Sequence, residues 1–153
     1  MSTVMDEIDR RILQELVMDG RLSVTELADQ VSLSLSATSQ RLRRLVDGGA
    51  IERFTVRLDP ATVGRPIDAL VDLRLPADLS FSGIDEGILA LPEVVDAVHL
   101  TGRFDYQVRL HCRTINELDT ILRDFKQSFG VEETSTRVVL STVVGFPRQP
   151  TPA

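Results

Sequence analysis

Along the first fifty residues apolar side chains recur at helical spacing, and beyond them they alternate with polar ones. Ile8, Ile12, Leu13, Leu16 and Val17 fall on one face of a helix, and Asp6, Glu7 and Asp9 sit in its first turn, where the helix dipole favours negative charge. Gly20 is the expected stop. Ser23-Val24-Thr25-Glu26 has the form of a capping box, in which the hydroxyl accepts from a backbone N–H one turn on and the glutamate reaches back. It predicts a short second helix with Val24, Leu27, Ala28 and Val31 turned inward. Hydroxyl side chains between Ser32 and Ser36 compete for backbone hydrogen bonds and predict a turn and a cap. A third helix follows from about Leu35 to Asp47, with Leu35, Leu42, Leu45 and Val46 as its buried stripe and Gly48-Gly49 closing it.

In the next segment Ile51, Phe54, Val56 and Leu58 lie close to period two and predict a strand, followed by a linker turn between Pro60 and Gly64. Asp68–Leu75 alternates again and ends at Pro76. Phe81, Ile84, Ile88, Leu89 and Leu91 have helical spacing, with Ser82 as the expected cap and Pro92 as the stop. Val94–Leu100 and Tyr106–Cys112 predict a hairpin around Thr101–Asp105. Thr114 precedes a helix bearing Ile115, Leu118, Ile121, Leu122, Phe125 and Phe129 and ending at Gly130; a last strand spans about Thr134 to Val144.

The order strand, helix, strand, strand, helix, strand is the split βαβ arrangement of ferredoxin-like domains, so the chain is read as α+β. Both helices are expected on one face of a four-stranded antiparallel sheet. The other face would then expose apolar members, among them Val71, Leu73 and Val108 or Leu110 according to register, and a second sheet is the expected cover. The chain thus divides into residues 1–50, a strand and linker over 51–67, the sheet domain over 68–145, and a proline-rich tail over 146–153 that is expected to fray.

Composition narrows the classes. With 153 residues, 42% hydrophobic and 26% charged, the chain can bury a core and is neither disordered nor fibrous. The single Cys112 forms no internal disulfide, the N-terminus has no apolar leader, and no run approaches a bilayer span, so a soluble cytoplasmic protein without a membrane partner is expected. The net charge of −6 disfavours indiscriminate polyanion binding. Yet residues 34–59 carry five Arg against three acidic residues, and a phosphate contact is to be sought there.

Two short helices joined by a tight turn, the second basic, form a helix-turn-helix pattern. The outer face of its second helix offers Ser36, Thr38, Ser39, Gln40, Arg43 and Arg44. Hydroxyls and Arg suit phosphate oxygens, Gln pairs with adenine and Arg with guanine, although the same residues also occur on ordinary solvated faces. In the hairpin loop, Gly102 permits close approach, neighbouring N–H groups or Arg103 suit a carboxylate, and Asp105 suits an α-ammonium group. Equally, Gly102 can make the turn, Asp105 cap it and Tyr106 join the core. His99 and His111 lack a third ligand at metal spacing and Cys112 lacks a basic helper; with no phosphate-binding glycine loop or nucleophile elbow, no catalytic residue, metal or cofactor is expected.

Taken together, MDEIDRRIL, DGRLSVTELADQVSLS, SQRLRRLVDGGAI, LDPATVG and PEVVDAVHLTGRFDY resemble, in order, the Lrp/AsnC or feast/famine transcriptional regulators, over nearly the whole chain from Met5 to about Val144. The resemblance implies a winged-type helix-turn-helix followed by a ferredoxin-like βαββαβ domain of the RAM type. It implies a regulator of amino-acid or nitrogen metabolism, and double-stranded DNA at Ser34, Ser36, Thr38, Ser39, Gln40, Arg43 and Arg44. Arg41 is left between DNA contact and an acidic neighbour. The resemblance also implies a homodimer gathering into tetramers or octamers, with a small effector, commonly an amino acid, between dimers. Its site would involve Thr101, Gly102, Arg103, Phe104, Asp105 and Tyr106, with Ile115, Thr136, Arg137 and Val138 as further walls. Ser32 stands where the family often has glycine, which suits the turn if its φ is negative; Leu35 replaces a frequent proline and Met5 a leucine. The competing readings are a sensing or assembly module without DNA binding and a small ferredoxin-like enzyme.

Overall fold

The computed structural model describes residues 5–76 and 81–143, which fall into two compact units meeting in the chain at Val56 and Arg57. The N-terminal unit holds three helices, α1 (Glu7–Met18), α2 (Val24–Val31) and α3 (Leu35–Asp47). Asp6 caps α1, its carboxylate accepting from the Asp9 N–H at 2.8 Å, while the Asp9 carboxylate accepts from the Asp6 N–H at 3.3 Å. The helix stops at Asp19, one residue before the expected glycine. Ser23 and Glu26 close the capping box on α2 as the sequence predicts.

The turn after α2 departs from expectation. Ser32 has φ 56° and ψ 44°, a left-handed conformation that brings the Leu33 N–H within 3.0 Å of the Ala28 carbonyl and the Ser32 N–H within 3.3 Å of that of Asp29. The φ is therefore positive, and a β-carbon is held where glycine is favoured. In α3, Leu35 is 54% and Val46 40% exposed, while Thr38 is fully buried. The buried members of α3 are thus Thr38 and Leu45, with Leu42 half-buried, and Leu45 joins Ile12, Leu27 and Val31 in the core with Ile8, Leu13, Leu16 and Ile51 around it.

No strand forms over residues 51–58, where Phe54, Val56 and Leu58 are more than half exposed. Period two is only a disposition to extend, and a strand also needs a neighbour to receive its ladder hydrogen bonds. Among the described residues the segment has none.

The second unit contains β1 (Ile67–Arg74), α4 (Phe81–Ala90), β2 (Val94–His99), β3 (Tyr106–Cys112), α5 (Ile115–Gln127) and β4 (Glu133–Val138). The strands form one antiparallel sheet in the order β2-β3-β1-β4, as a split βαβ unit requires. Ser82, expected before α4, lies inside it. Thr114 caps α5, its hydroxyl accepting from the Glu117 N–H at 3.1 Å. The last strand stops at Val138, and the Val139 N–H donates one further hydrogen bond to the Asp68 carbonyl. Expectations for Val144 and the tail from Phe146 lie outside the described residues.

Register decides the two sheet faces. Val71 pairs with Val108, and Leu73 with Tyr106, so these side chains share a face with Ala69, Leu110 and Cys112. That face is the one packed by Ile84 and Ile88 of α4 and Leu118, Ile121 and Phe125 of α5. Val71, Leu73, Val108 and Leu110 are therefore all core, and the apolar members of the open face are instead Leu70 and Val98. The open face also carries cross-strand polar groups: Asp68 with Arg109, and Asp72 with Gln107 and Arg137.

Candidate functional site

Three faces of α3 follow from its 3.6-residue period. Thr38 and Leu45 point to the helical core, with Leu42 half-buried. Ser36, Gln40 and Arg43 are exposed on the opposite side, with Ser39 partly exposed beside them. Ala37, Arg41 and Arg44 turn toward α1 and, with Gln40, line a cleft of about 350 Å³.

The helix starts at Ser34, whose hydroxyl accepts from the Ala37 N–H at 3.3 Å and lies 3.2 Å from that of Ser36. Both hydroxyls stand exposed at the positive end of the helix dipole, where anions are favoured. Thr38, placed on the DNA face by its residue type, is instead covered and donates to the Ser34 carbonyl at 3.1 Å. Its short, β-branched side chain fills core space and returns its proton to the preceding turn, so it offers nothing to an outside ligand.

Sequence reasoning missed the group that organises the cleft. Asp9 is fully buried, and its carboxylate takes Arg41 at 2.9 Å and Arg44 at 2.9 and 2.7 Å. Arg41 also reaches Asp6 at 2.6 Å. The capping hydrogen bond from the Asp9 backbone, then the Arg41 guanidinium, hold the Asp6 carboxyl below its usual range. In the sequence these acids read as dipole partners of α1, and partners more than thirty residues away left no local signal. Arg43, by contrast, makes no ion pair among the described residues.

The hairpin loop of the second unit is tied down. Gly102 has φ 113°, which side-chain-bearing residues rarely adopt, and Thr101, Gly102 and Arg103 are exposed. Arg103 bonds Glu133 and lies 5.3 Å over the Phe104 ring. The Asp105 carboxylate accepts from the Leu75 N–H at 2.7 Å, and its own N–H donates to the Leu73 carbonyl at 2.9 Å, fastening the loop to the end of β1. Tyr106 is 2% exposed, with its hydroxyl 2.6 Å from Asp85; burial first and Asp85 second raise its pKa and keep the phenol protonated.

The remaining expected pocket walls lie elsewhere. Tyr106 pairs with Leu73 at one end of the sheet, whereas Cys112 pairs with Ile67 and Val138 with Ala69 toward the other. Six residues of β3 separate the ends, about 20 Å at strand rise. Ile115, 54% exposed, begins α5 just after Cys112, so Ile115 and Val138 belong to the far end. Thr136 lies between the ends on the helix side of β4, while Arg137 is on the opposite face with Asp72. One chain does not bring the ten residues together.

His111 lies beneath Arg57, Arg65 and Arg109 with Asp68 at 3.7 Å; burial lowers its pKa, against the pull of Asp68. Burial pushes the Cys112 thiol up to about 11. Among the described residues no group of three or more His, Cys, Asp or Glu side chains is arranged to hold a metal ion, and no helix is long and apolar enough to cross a membrane.

A capped three-helix unit that turns a hydroxyl, amide and arginine row to solvent, followed in the same chain by a ferredoxin-like sheet, defines the class of two-unit helix-turn-helix regulators. Residues 5–52 match the family model for winged helix-turn-helix DNA-binding, and residues 68–148 that for the Lrp/AsnC ligand binding domain. The chain belongs to the Lrp/AsnC family of helix-turn-helix transcriptional regulators. It is 30% identical over 142 residues to the HTH-type transcriptional regulator FL11 of Pyrococcus horikoshii, covering 93% of each chain. It is likewise 30% identical over 143 residues to LrpA of Mycobacterium tuberculosis, covering 93% of this chain and 94% of that one. A transcriptional regulator of Neisseria meningitidis, solved as an L-Met complex, superposes with TM-score 0.87 at 27% identity, covering 96% of this chain and 97% of the other.

Proposed function

We propose that this protein is a sequence-specific DNA-binding regulator, acting in the cytoplasm on genes of amino-acid or nitrogen metabolism, and that an amino acid bound between its dimers sets its assembly. The observation that carries the DNA reading is the row Ser36, Ser39, Gln40 and Arg43, exposed on a helix whose other faces are fixed by the core and by Asp9. Such a row combines phosphate-binding hydroxyls with the two side chains best suited to purine edges in a major groove. Two copies would set two such helices about one helical turn of DNA apart, or a multiple of it, on a site with two-fold symmetry.

Several features support assembly. Phe54, Val56 and Leu58 alternate without a strand partner among the described residues, and Leu140 and Val143 are 97% and 98% exposed. Apolar side chains so placed favour cover by a second copy. The effector residues at opposite ends of one sheet fit a site that takes the 101–106 loop from one copy and the region of Ile115 and Val138 from another. The L-Met carried by the Neisseria meningitidis regulator supports an amino acid as the ligand class. An effector acts here only through unequal affinity for two assembly states.

The test is a thermal-shift screen of the purified protein against the twenty amino acids, followed by light scattering. A ligand present at a hundred times its Kd stabilises by about 2.7 kcal/mol. One selective hit that also changes particle mass is the expected result. Twenty amino acids that shift neither melting nor mass would remove amino-acid sensing and leave the DNA reading to stand alone.

A further inference from the structure

The cleft on α3 lined by Ala37, Gln40, Arg41 and Arg44 is built differently from the solvent row next to it. Arg44 touches Asp9 through Nη2 alone, which spans both carboxylate oxygens, and Arg41 reaches Asp6 and Asp9 through Nη1 alone. A guanidinium has five N–H donors. Each arginine is thus gripped at one nitrogen by a carboxylate, and its other nitrogens have no hydrogen-bond partner among the described residues. Ala37 keeps the mouth of the cleft open, and Gln40 adds an amide at its rim. Arg44 retains 46% of its side-chain exposure and Arg41 24%, so both are accessible to a ligand while Asp9, at 1%, is not.

Resting on the DNA reading above, we infer that this cleft seats a DNA backbone phosphate, with Arg44 as its principal donor, Arg41 and Gln40 at its sides, and Asp9 as the positioning residue. Two long side chains that would otherwise wave in solvent are pre-ordered by one buried anion, so little side-chain freedom is left to lose on binding. A phosphate offers acceptors in the planar arrangement that an arginine fork matches. A base edge would need Arg44 at the crest of the helix with Gln40 and Arg43, and Asp9 holds it off that crest. The helix therefore separates two tasks: Arg43 reads bases, the Asp9-held arginines fix the register of the backbone, and Gln40 stands at the border between them.

The experiment compares the intact protein with Arg44→Ala and Arg44→Lys on two duplexes: one enriched by the protein from a random-sequence pool and a scrambled duplex of the same composition. Affinity is measured across a salt series. Arg44→Ala is expected to weaken binding to both duplexes by the same factor, about tenfold, and to reduce the salt slope by about one. Arg44→Lys, which keeps a cation against Asp9 and guards against a merely unfolded variant, is expected to retain the slope while losing part of the affinity. An Arg44→Ala protein that melts like the parent and binds both duplexes with unchanged slope overturns the phosphate site. Loss confined to the enriched duplex overturns it too, because that is the signature of a base contact. If the unmodified protein enriches no duplex and binds neither, the DNA reading itself falls, and the phosphate site with it.

Discussion

Ser32 holds a left-handed conformation with a β-carbon in place, at a cost of about 1–2 kcal/mol relative to the right-handed region. Ser32→Gly removes the steric part of that cost while loosening the unfolded chain, and a net gain of about 1 kcal/mol in denaturant unfolding is expected. Residue type alone did not reveal the sign of φ there: serine suits both a helix cap and a turn, and the Schellman pair of hydrogen bonds to Ala28 and Asp29 decides the matter. Thr38 shows the same limit. Its hydroxyl suits a phosphate on paper, yet its position in the period puts it beside Leu45 in the core. Thr38→Val is accordingly expected to leave DNA affinity within about twofold, since the buried hydroxyl donates only to the Ser34 carbonyl and reaches no ligand. A larger loss of affinity in a well-folded Thr38→Val protein would return that residue to the interface.

At the scale of elements, what was legible had a local cause. Ser23 with Glu26, and Thr114 before α5, announce helix starts through side chains that reach only three residues. The period of α3 was legible for the same reason, although the burial of Thr38 and the exposure of Leu35 and Val46 were not. Strand 51–58 failed because pairing is not local, and the sheet faces were misassigned because alternation gives two faces without saying which one the helices cover. The contact of α4 with Phe129, just beyond the end of α5, was also beyond the sequence. A β-carbon at Gly87 would lie 2.0 Å from the Phe129 ring, whereas one at Gly83 meets nothing within 4 Å. Gly87→Ala is therefore expected to cost about 1–3 kcal/mol through forced movement of Phe129, and Gly83→Ala to gain about 0.5–1 kcal/mol from helix propensity. Equal effects at the two sites in paired melting curves would contradict the packing of Phe129 on α4.

For the whole molecule, the open sheet face ties stability to pH. The Asp68 carboxyl is held below its usual range by Arg109, so its contribution is present above about pH 4 and is lost as the pH falls through the lowered folded value. His111 is pushed below its ordinary 6.5 by burial, against the pull of Asp68. Below pH 6.5 the unfolded chain takes up a proton that the folded one resists, so stability falls from neutral pH toward pH 5. His111→Gln is expected to flatten that part of the profile while leaving the acid limb near pH 4 in place. A variant whose profile between pH 7 and 5 matches the parent would assign the slope to another group.

Function at this scale rests on an acidic chain presenting a small, well-ordered contact surface. A net charge of −6 gives no general attraction to DNA, so any tight binding has to come from the row on α3 and the arginines beside it. The most direct measurement is a fluorescence-anisotropy titration of the parent and of Arg43→Ala, at one fixed salt concentration, against a duplex enriched from a random pool and its scrambled counterpart. The parent is expected to prefer the enriched duplex, and Arg43→Ala to lose about 1–3 kcal/mol of that preference with unchanged particle mass. A parent that shows no preference for any duplex, or an Arg43→Ala protein that discriminates as well as the parent, would contradict sequence readout by this helix.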